Sequence, residues 1–362
     1  MSPSTARCTA RRSGAGRRVR QKRGRAVVRK VCRAGFRERD FQRGPVRLHY
    51  AEGPPGGSPL VLIPAQMGIW ESYQKVLPAL SRRFYVFAVD LRGHGRSSWT
   101  PGDYSWTSVG ADLAAFLAQV VGRPAVVAGN SSGGIVALWL AAHTPEFVAG
   151  TILEDAPVFS AELPRFRDRD RFVYRGLEHL VAALGNIENR DLADYFRGQE
   201  LPTRGGQVRR VPGWFVRFLS GAIRRRQKAH PGEPVDIAWL PGTPRLLLKS
   251  LSAFDPDFAR AFVDGRFYGD FSHAAALREV RCPLLVLHAD WFRHSEYGLV
   301  GAMDDRDAAR IRELTPQAQY RRIAANHVIH VFRPRAYVEA VTAFMGGLNN
   351  VENPPALRRV FA

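Results

Sequence analysis

Ala125-Val126-Val127-Ala128-Gly129-Asn130-Ser131-Ser132-Gly133-Gly134-Ile135 is the stretch on which the reading of this chain turns. Its first four residues form a short apolar run, the mark of a strand buried on both faces. Ile135 opens an apolar stretch to His143 of helical length. Between them Gly129 to Gly133 matches G-x-S-x-G in the strand-then-helix context that motif requires. A turn that sharp strains the backbone at the serine and admits only glycine two residues to either side. The Ser131 hydroxyl is then exposed above the carboxyl edge of a sheet. The helix start behind it offers free amides to developing negative charge. Ser131 is the candidate nucleophile.

Outward from this turn, further buried strands are expected at residues 60–63, 84–89, 150–153 and 283–287. Helical stretches are expected at 71–81, 107–121, 305–314 and 335–344, with a last strand near 320–323. Strands alternating with helices in one polarity mean an α/β fold with a parallel, doubly wound sheet. Residues 46–50 alternate like an edge strand. Residues 157–275 break the pattern: they read as an inserted, mainly helical cap with a Gly/Pro-rich break at 202–212. The expected organisation is therefore a basic extension at 1–43, a core domain in two parts at 44–156 and 276–348, the cap between them, and a tail at 349–362. No internal repeat is seen.

Three landmarks beyond the serine turn carry a resemblance. Leu62-Ile63-Pro64-Ala65-Gln66 ends a strand. Asp90-Leu91-Arg92-Gly93-His94-Gly95-Arg96-Ser97-Ser98 is a Gly-rich loop after the next strand. Ala325-Asn326-His327-Val328-Ile329-His330 follows the last strand. In this order they resemble the α/β-hydrolase superfamily from about residue 44 to 346. Departures are Pro64-Ala65 where relatives have His-Gly, and Asn326 where they have Gly. The resemblance implies an α/β-hydrolase fold and a serine–histidine–acid site. It also implies an oxyanion hole built from the main-chain amides of Gln66 and Ser132. Asn130 occupies a place where Asn occurs in relatives that cleave carbon–carbon bonds of ring-cleavage products.

A serine hydroxyl needs a base, and the base needs a carboxylate to fix its tautomer. His327 is the expected base. His330, three residues on, is the runner-up base, with loop–helix packing as its plainer reading; His94 is read as a pin of its own loop, and His288, which ends a strand and could face the site, as structural. The acid is open. The family's usual position aligns with Phe292, so Asp290 at the end of the preceding strand leads. Asp304 and Asp305 close the following insertion and could reach back, although they also suit a helix N-terminus. Glu154 and Asp155, ending the fourth strand, are the remaining alternatives. The implied reaction is hydrolysis of an ester, lactone, amide or carbon–carbon bond through an acyl-enzyme. The alternative is a non-catalytic ligand-binding or receptor protein on the same scaffold.

The chain has 362 residues, 45% hydrophobic, enough for one sizeable core. No apolar run reaches transmembrane length, and no signal-peptide core appears near the start. Cys8, Cys32 and Cys282 are few and far apart, which suits a reducing, cytoplasmic setting. No phosphate loop, zinc motif or dinucleotide fingerprint is present, so no cofactor or metal is expected. The net charge of +20 is uneven: residues 1–44 hold 15 Lys and Arg against Glu38 and Asp40, a balance of +13, leaving +7 for the rest. That extension reads as disordered. An arm for nucleic acid or an anionic membrane and a transit peptide are functional readings of it; the plain one is an upstream extension outside the fold. Arg outnumbers Lys 48 to 5, a bias of the whole chain. The knot Arg224-Arg225-Arg226-Gln227-Lys228 is read as a solvated helix face. Cap aromatics Phe159, Phe166, Tyr174, Trp214, Phe215, Phe218 and Trp239 suggest a small-molecule substrate with an apolar acyl or leaving group. Nucleic acid is not required as a partner, and the oligomeric state is open.

Overall fold

The computed structural model describes residues 30–186 and 191–352. The strands are β1 (Arg37–Arg43), β2 (Val46–Glu52), β3 (Ser58–Ile63), β4 (Phe84–Val89), β5 (Ala125–Asn130), β6 (Val148–Glu154), β7 (Glu200–Pro202), β8 (Val208–Arg210), β9 (Leu284–His288), β10 (Phe292–His294), β11 (Gly298–Val300) and β12 (Gln319–Arg322). The helices are α1 (Leu77–Leu80), α2 (Trp106–Phe116), α3 (Ser132–His143), α4 (Arg165–Asp168), α5 (Phe172–Leu184), α6 (Leu192–Arg197), α7 (Gly213–Ala229), α8 (Gly242–Ser252), α9 (Pro256–Val263), α10 (His273–Glu279), α11 (Asp305–Leu314), α12 (Ile329–Phe332) and α13 (Pro334–Glu352). Eight strands make one sheet in the order β1-β2-β4-β3-β5-β6-β9-β12. The first two pairings are antiparallel, and every pairing from β4 onward is parallel.

The apolar runs sort by alternation, as a strand's period of two requires. Leu60 and Leu62 of β3 join Val86, Ala88, Val126 and Ala128 in one layer, covered by Tyr337, Val341 and Phe344 of α13. Val61 and Ile63 face the other way with Phe87, Val89 and Val127, covered by Leu113 and Phe116 of α2 and Leu138 of α3. Both faces of the parallel sheet are thus covered, and its carboxyl edge stays open for a site.

Three features differ from the sequence-based expectation. Residues 37–43, grouped there with the basic extension, form β1 and pair along their length with β2, from Arg37 opposite Glu52 to Arg43 opposite Val46. The strand hides in the sequence because Phe41 is its only buried residue; charged side chains suit an exposed sheet edge. β2 is therefore not an edge strand. Residues 1–29 lie outside the described residues. Second, the Gly/Pro-rich break in the insertion contains the hairpin β7–β8, with strands too short to show a period. Third, the last helix runs on to Glu352, past the expected boundary at 348.

Helices α4 to α10 and that hairpin lie in the chain between β6 and β9. Arg165 of α4 fastens them to the sheet domain through a two-pronged contact with Asp307 of α11 (2.5 and 2.8 Å), and is itself held within the insertion by Asp170 (2.6 Å). No helix among the described residues is long and apolar enough to cross a membrane.

The loop after β4 is locked by a buried ion pair. Arg92 Nε and Nη2 donate to the two oxygens of Asp112 on α2 (2.5 and 2.8 Å), and both side chains are only 2% exposed. Removing one member of such a pair strands a charge in the interior, which costs about 3–5 kcal/mol. Arg92 keeps a second partner in the exposed Asp103 (2.7 Å), so Asp112→Ala is expected to lower the free energy of unfolding by about 3 kcal/mol, the lower end of that range. Urea denaturation followed by circular dichroism measures it, and a loss below about 1 kcal/mol would contradict this account.

Candidate functional site

β5 ends at Asn130 and α3 begins at Ser132, so Ser131 makes the turn alone, at φ 54° and ψ −124°. That backbone is disfavoured for an L residue and persists only where its surroundings impose it. The surroundings are crowded. A Cβ on Gly129 would stand 2.0 Å from the Gly133 carbonyl oxygen, and one on Gly133 would stand 2.5 Å from the carbonyl oxygens of Ile63 and Pro64. Strand, helix and the end of β3 thus meet backbone to backbone. The Ser131 N–H donates to the Glu154 carbonyl at 2.9 Å, tying the turn to the end of β6.

Asp155 follows β6 at φ 42° with its carboxylate buried. Its Oδ2 lies 2.7 Å from His327 Nδ1, and its Oδ1 accepts the Ala289 N–H at 3.0 Å. With Nδ1 committed to the carboxylate, Nε2 is the nitrogen left for proton exchange. Burial disfavours the charged imidazolium, yet the hydrogen bond and charge of Asp155, with Glu154 behind it, outweigh burial and hold the His327 pKa above its ordinary 6.5. Asn130, the residue before the serine, donates its side-chain amide to both the His327 and the Glu154 carbonyls at 3.2 Å. The strained turn and the histidine loop are thereby joined through one amide.

A second acid–imidazole pair lies beneath the first. The main-chain N–H and ring Nδ1 of His330 both donate to Glu154, at 2.8–2.9 Å, with both side chains buried. Tyr73 stacks on the His330 ring at 4.0 Å. Adjacent carboxylates at the end of β6 therefore hold two histidines three residues apart. The sequence carries the signal, Glu154-Asp155 and His327-x-x-His330, but a pairing across more than 170 residues cannot be read from either motif alone.

The loop after β3 is equally fixed. The Gln66 N–H donates to Ser132 Oγ at 2.7 Å, a side-chain contact that the main-chain picture of this corner did not include. The Met67 N–H, at φ 59°, donates to His94 Nε2 at 3.1 Å. His94 Nδ1 in turn donates to the Arg92 carbonyl at 2.9 Å. Burial pushes the His94 pKa down to about 4, so its ring is neutral and Nε2 free to accept. His94 thus pins not only its own loop but the neighbouring one. Asp90 accepts the N–H groups of Trp70 and Arg96 (2.6 and 3.1 Å), while burial pushes its pKa up to about 6.

The other candidate acids stand elsewhere. Asp290 is exposed, and its main-chain N–H donates to the Ala325 carbonyl. The end of β9 gives its Ala289 N–H to Asp155 rather than supplying a carboxylate to His327. The structure thus sets Asp155, one of the alternatives, against His327, and not the lead candidate Asp290. Asp304 caps α11, accepting from the Arg306 and Asp307 N–H groups, and pairs with Arg293. Asp305 accepts from Trp291 Nε1 and from Arg322. His288 is held between the Tyr320 hydroxyl and the Met303 carbonyl. Of the cap aromatics, Phe159, Phe166 and Tyr174 are buried, whereas Trp214, Phe218 and Trp239 are exposed.

Comparison with known proteins finds relatives of this chain in sequence and in fold. A human serine hydrolase-like protein is 28% identical over 176 residues, covering 48% of this chain and 86% of that protein. A 3-oxoadipate enol-lactonase from Acinetobacter baylyi is 29% identical over 129 residues, covering 35% and 48%. A pimeloyl-[acyl-carrier protein] methyl ester esterase from Yersinia pestis is 37% identical over 118 residues, covering 32% and 42%. The chain thus spans under half the length of the latter two. Among solved structures, a putative lipase from Acinetobacter baumannii superposes with a TM-score of 0.63 at 16% identity, covering 93% of this chain and 99% of that one. A membrane phospholipase A superposes with a TM-score of 0.60 at 23% identity, covering 90% and 91%. At these identities the structures speak for the fold alone. A sequence profile of the alpha/beta hydrolase family matches residues 57–340, and the chain belongs to that family.

Proposed function

We propose that this protein is a serine hydrolase that cleaves a carboxylic ester or a related carbonyl compound through an acyl-enzyme. The observation that carries the reading is the Asp155–His327 hydrogen bond beside the strained Ser131 turn. Family membership adds weight, as does the presence of a lactonase and a methyl ester esterase among the relatives. Ser131 Oγ attacks the substrate carbonyl while His327 Nε2 takes its proton. Asp155 holds the imidazole in the Nδ1–H tautomer and stabilises its charged form. The amides of Gln66 and Ser132 donate to the oxyanion. In the resting site the Gln66 N–H is engaged by the Ser132 hydroxyl, which the substrate oxygen displaces. Collapse expels the alcohol, which takes the proton from His327; water, deprotonated by the same nitrogen, then releases the acid and restores Ser131. Residues 157–275 serve as a cap that shapes the acyl pocket. No cofactor takes part.

Three experiments test this. A fluorophosphonate probe should label the wild-type chain and leave Ser131→Ala unlabelled; a folded wild type that resists labelling and turns over no short p-nitrophenyl ester would favour the receptor alternative. Asp155→Asn should lower kcat by roughly three to four orders of magnitude, whereas Asp290→Asn should leave it within about twofold; the reverse ranking would return the acid to Asp290. In the wild type the base must be neutral to act, so kcat/KM should fall as pH drops through the raised His327 pKa. The midpoint of that acid limb should lie above 6.5, and should shift downward in Glu154→Gln, which removes a buried charge that favours the imidazolium. An acid limb unmoved by the substitution would show that Glu154 acts through shape alone.

A further inference from the structure

α7 is a helix of 17 residues, Gly213–Ala229, carrying Arg217, Arg224, Arg225, Arg226 and Lys228 and no acidic residue. At about 3.6 residues per turn, Trp214, Arg217, Phe218, Gly221, Arg225 and Lys228 fall on one stripe. Val216, Leu219, Ser220 and Ile223 fall on the opposite one. Burial follows that division: the second set is buried and every member of the first is exposed. The exposed end is strongly aromatic, with Trp214 66% and Phe218 53% accessible. Trp239, 43% accessible, packs against Phe218 with ring centroids 5.2 Å apart and planes tilted by 51°, and widens the patch. Arg224 is neutralised by Asp191 and Arg226 by Glu233. Arg217, Arg225 and Lys228 enter no ion pair among the described residues.

Exposed aromatics grouped this closely are uncommon on a surface that faces only water. An aromatic cluster continuing into a row of unpaired cations on the same helix face is the composition of an interfacial helix. Trp and Phe sit at headgroup depth, and Arg and Lys reach the lipid phosphates. We propose that α7, with Trp239 beside it, docks this protein on an anionic lipid surface. A single-stranded nucleic acid fits less well. Stacking of successive bases calls for aromatics spaced along the cationic track, and here they are confined to one end of it. A bilayer meets both chemistries without matched shape.

The test uses the full chain, so the basic residues ahead of β1 are present in every arm. Cosedimentation with vesicles of equal parts phosphatidylcholine and phosphatidylglycerol should show binding that weakens with salt, and vesicles of phosphatidylcholine alone should bind far less. Trp214→Ser with Phe218→Ser should weaken the anionic binding by about tenfold or more. Arg217→Gln with Arg225→Gln should weaken it by about fivefold per charge removed. Circular dichroism melting of both variants should match the wild type, since these side chains are exposed. The readout needs no turnover, so it stands or falls apart from the assignment of Ser131. Absence of wild-type binding would overturn the proposal. So would vesicle binding unchanged in the aromatic variant, which would assign it to the N-terminal charge, or a labelled single-stranded oligonucleotide held tightly while vesicles are not.

Discussion

Between Gly129 and Gly133 two stretches of backbone come close enough to forbid even one added methyl group. Much else at the site follows from that constraint. The contact lets β5 turn straight into α3, and it also brings the end of β3 against the helix start. Ser131 then has one conformation open to it, and the first free amides of α3 lie beside those of the loop after β3. The strain is held by neighbours rather than by the turn itself: the Glu154 carbonyl takes the Ser131 N–H, and the surrounding strands are buried on both faces.

Around that turn polar groups are organised in layers. Asp155 orients His327, Glu154 orients His330, and Asn130 spans the two carbonyls between them. On the other side His94 and Asp90 fix the loops that follow β3 and β4. All of these side chains but the half-exposed His327 are buried, and each has at least one bond to main chain or to an opposite partner. A buried polar group left without such a bond costs about 1–3 kcal/mol; within this set, among the described residues, Asn130 Oδ1 and His330 Nε2 are the atoms that have none.

The sheet was readable because its strands are buried on both faces: 60–63, 84–89 and 125–128 are unbroken apolar runs, and each meets a turn signal. The serine turn was readable because its glycines answer to local sterics. β1 was not, because an exposed edge strand with one buried Phe looks like any basic segment. Nor was β7–β8, three residues a strand and framed by Pro and Gly. The acid resisted for another reason. Five carboxylates stand at plausible chain positions, and their ranking depends on which strand end faces His327, a matter of register between β5, β6 and β9 that no local pattern encodes. Only the capping chemistry of Asp304, and the pinning role of His94, were open to local reasoning.

The position of Asp155 has a mechanical side. Where β9 leads to α11, the hairpin β10–β11 is tied to the inserted helices: Tyr297 accepts from Phe172, Leu299 donates to Asp170, and Arg175 pairs with Glu296. The segment thus works as a strut, ending at the Asp304 cap of α11. The carboxylate that touches His327 directly follows β6 instead, so it is carried by the sheet and stands outside that strut.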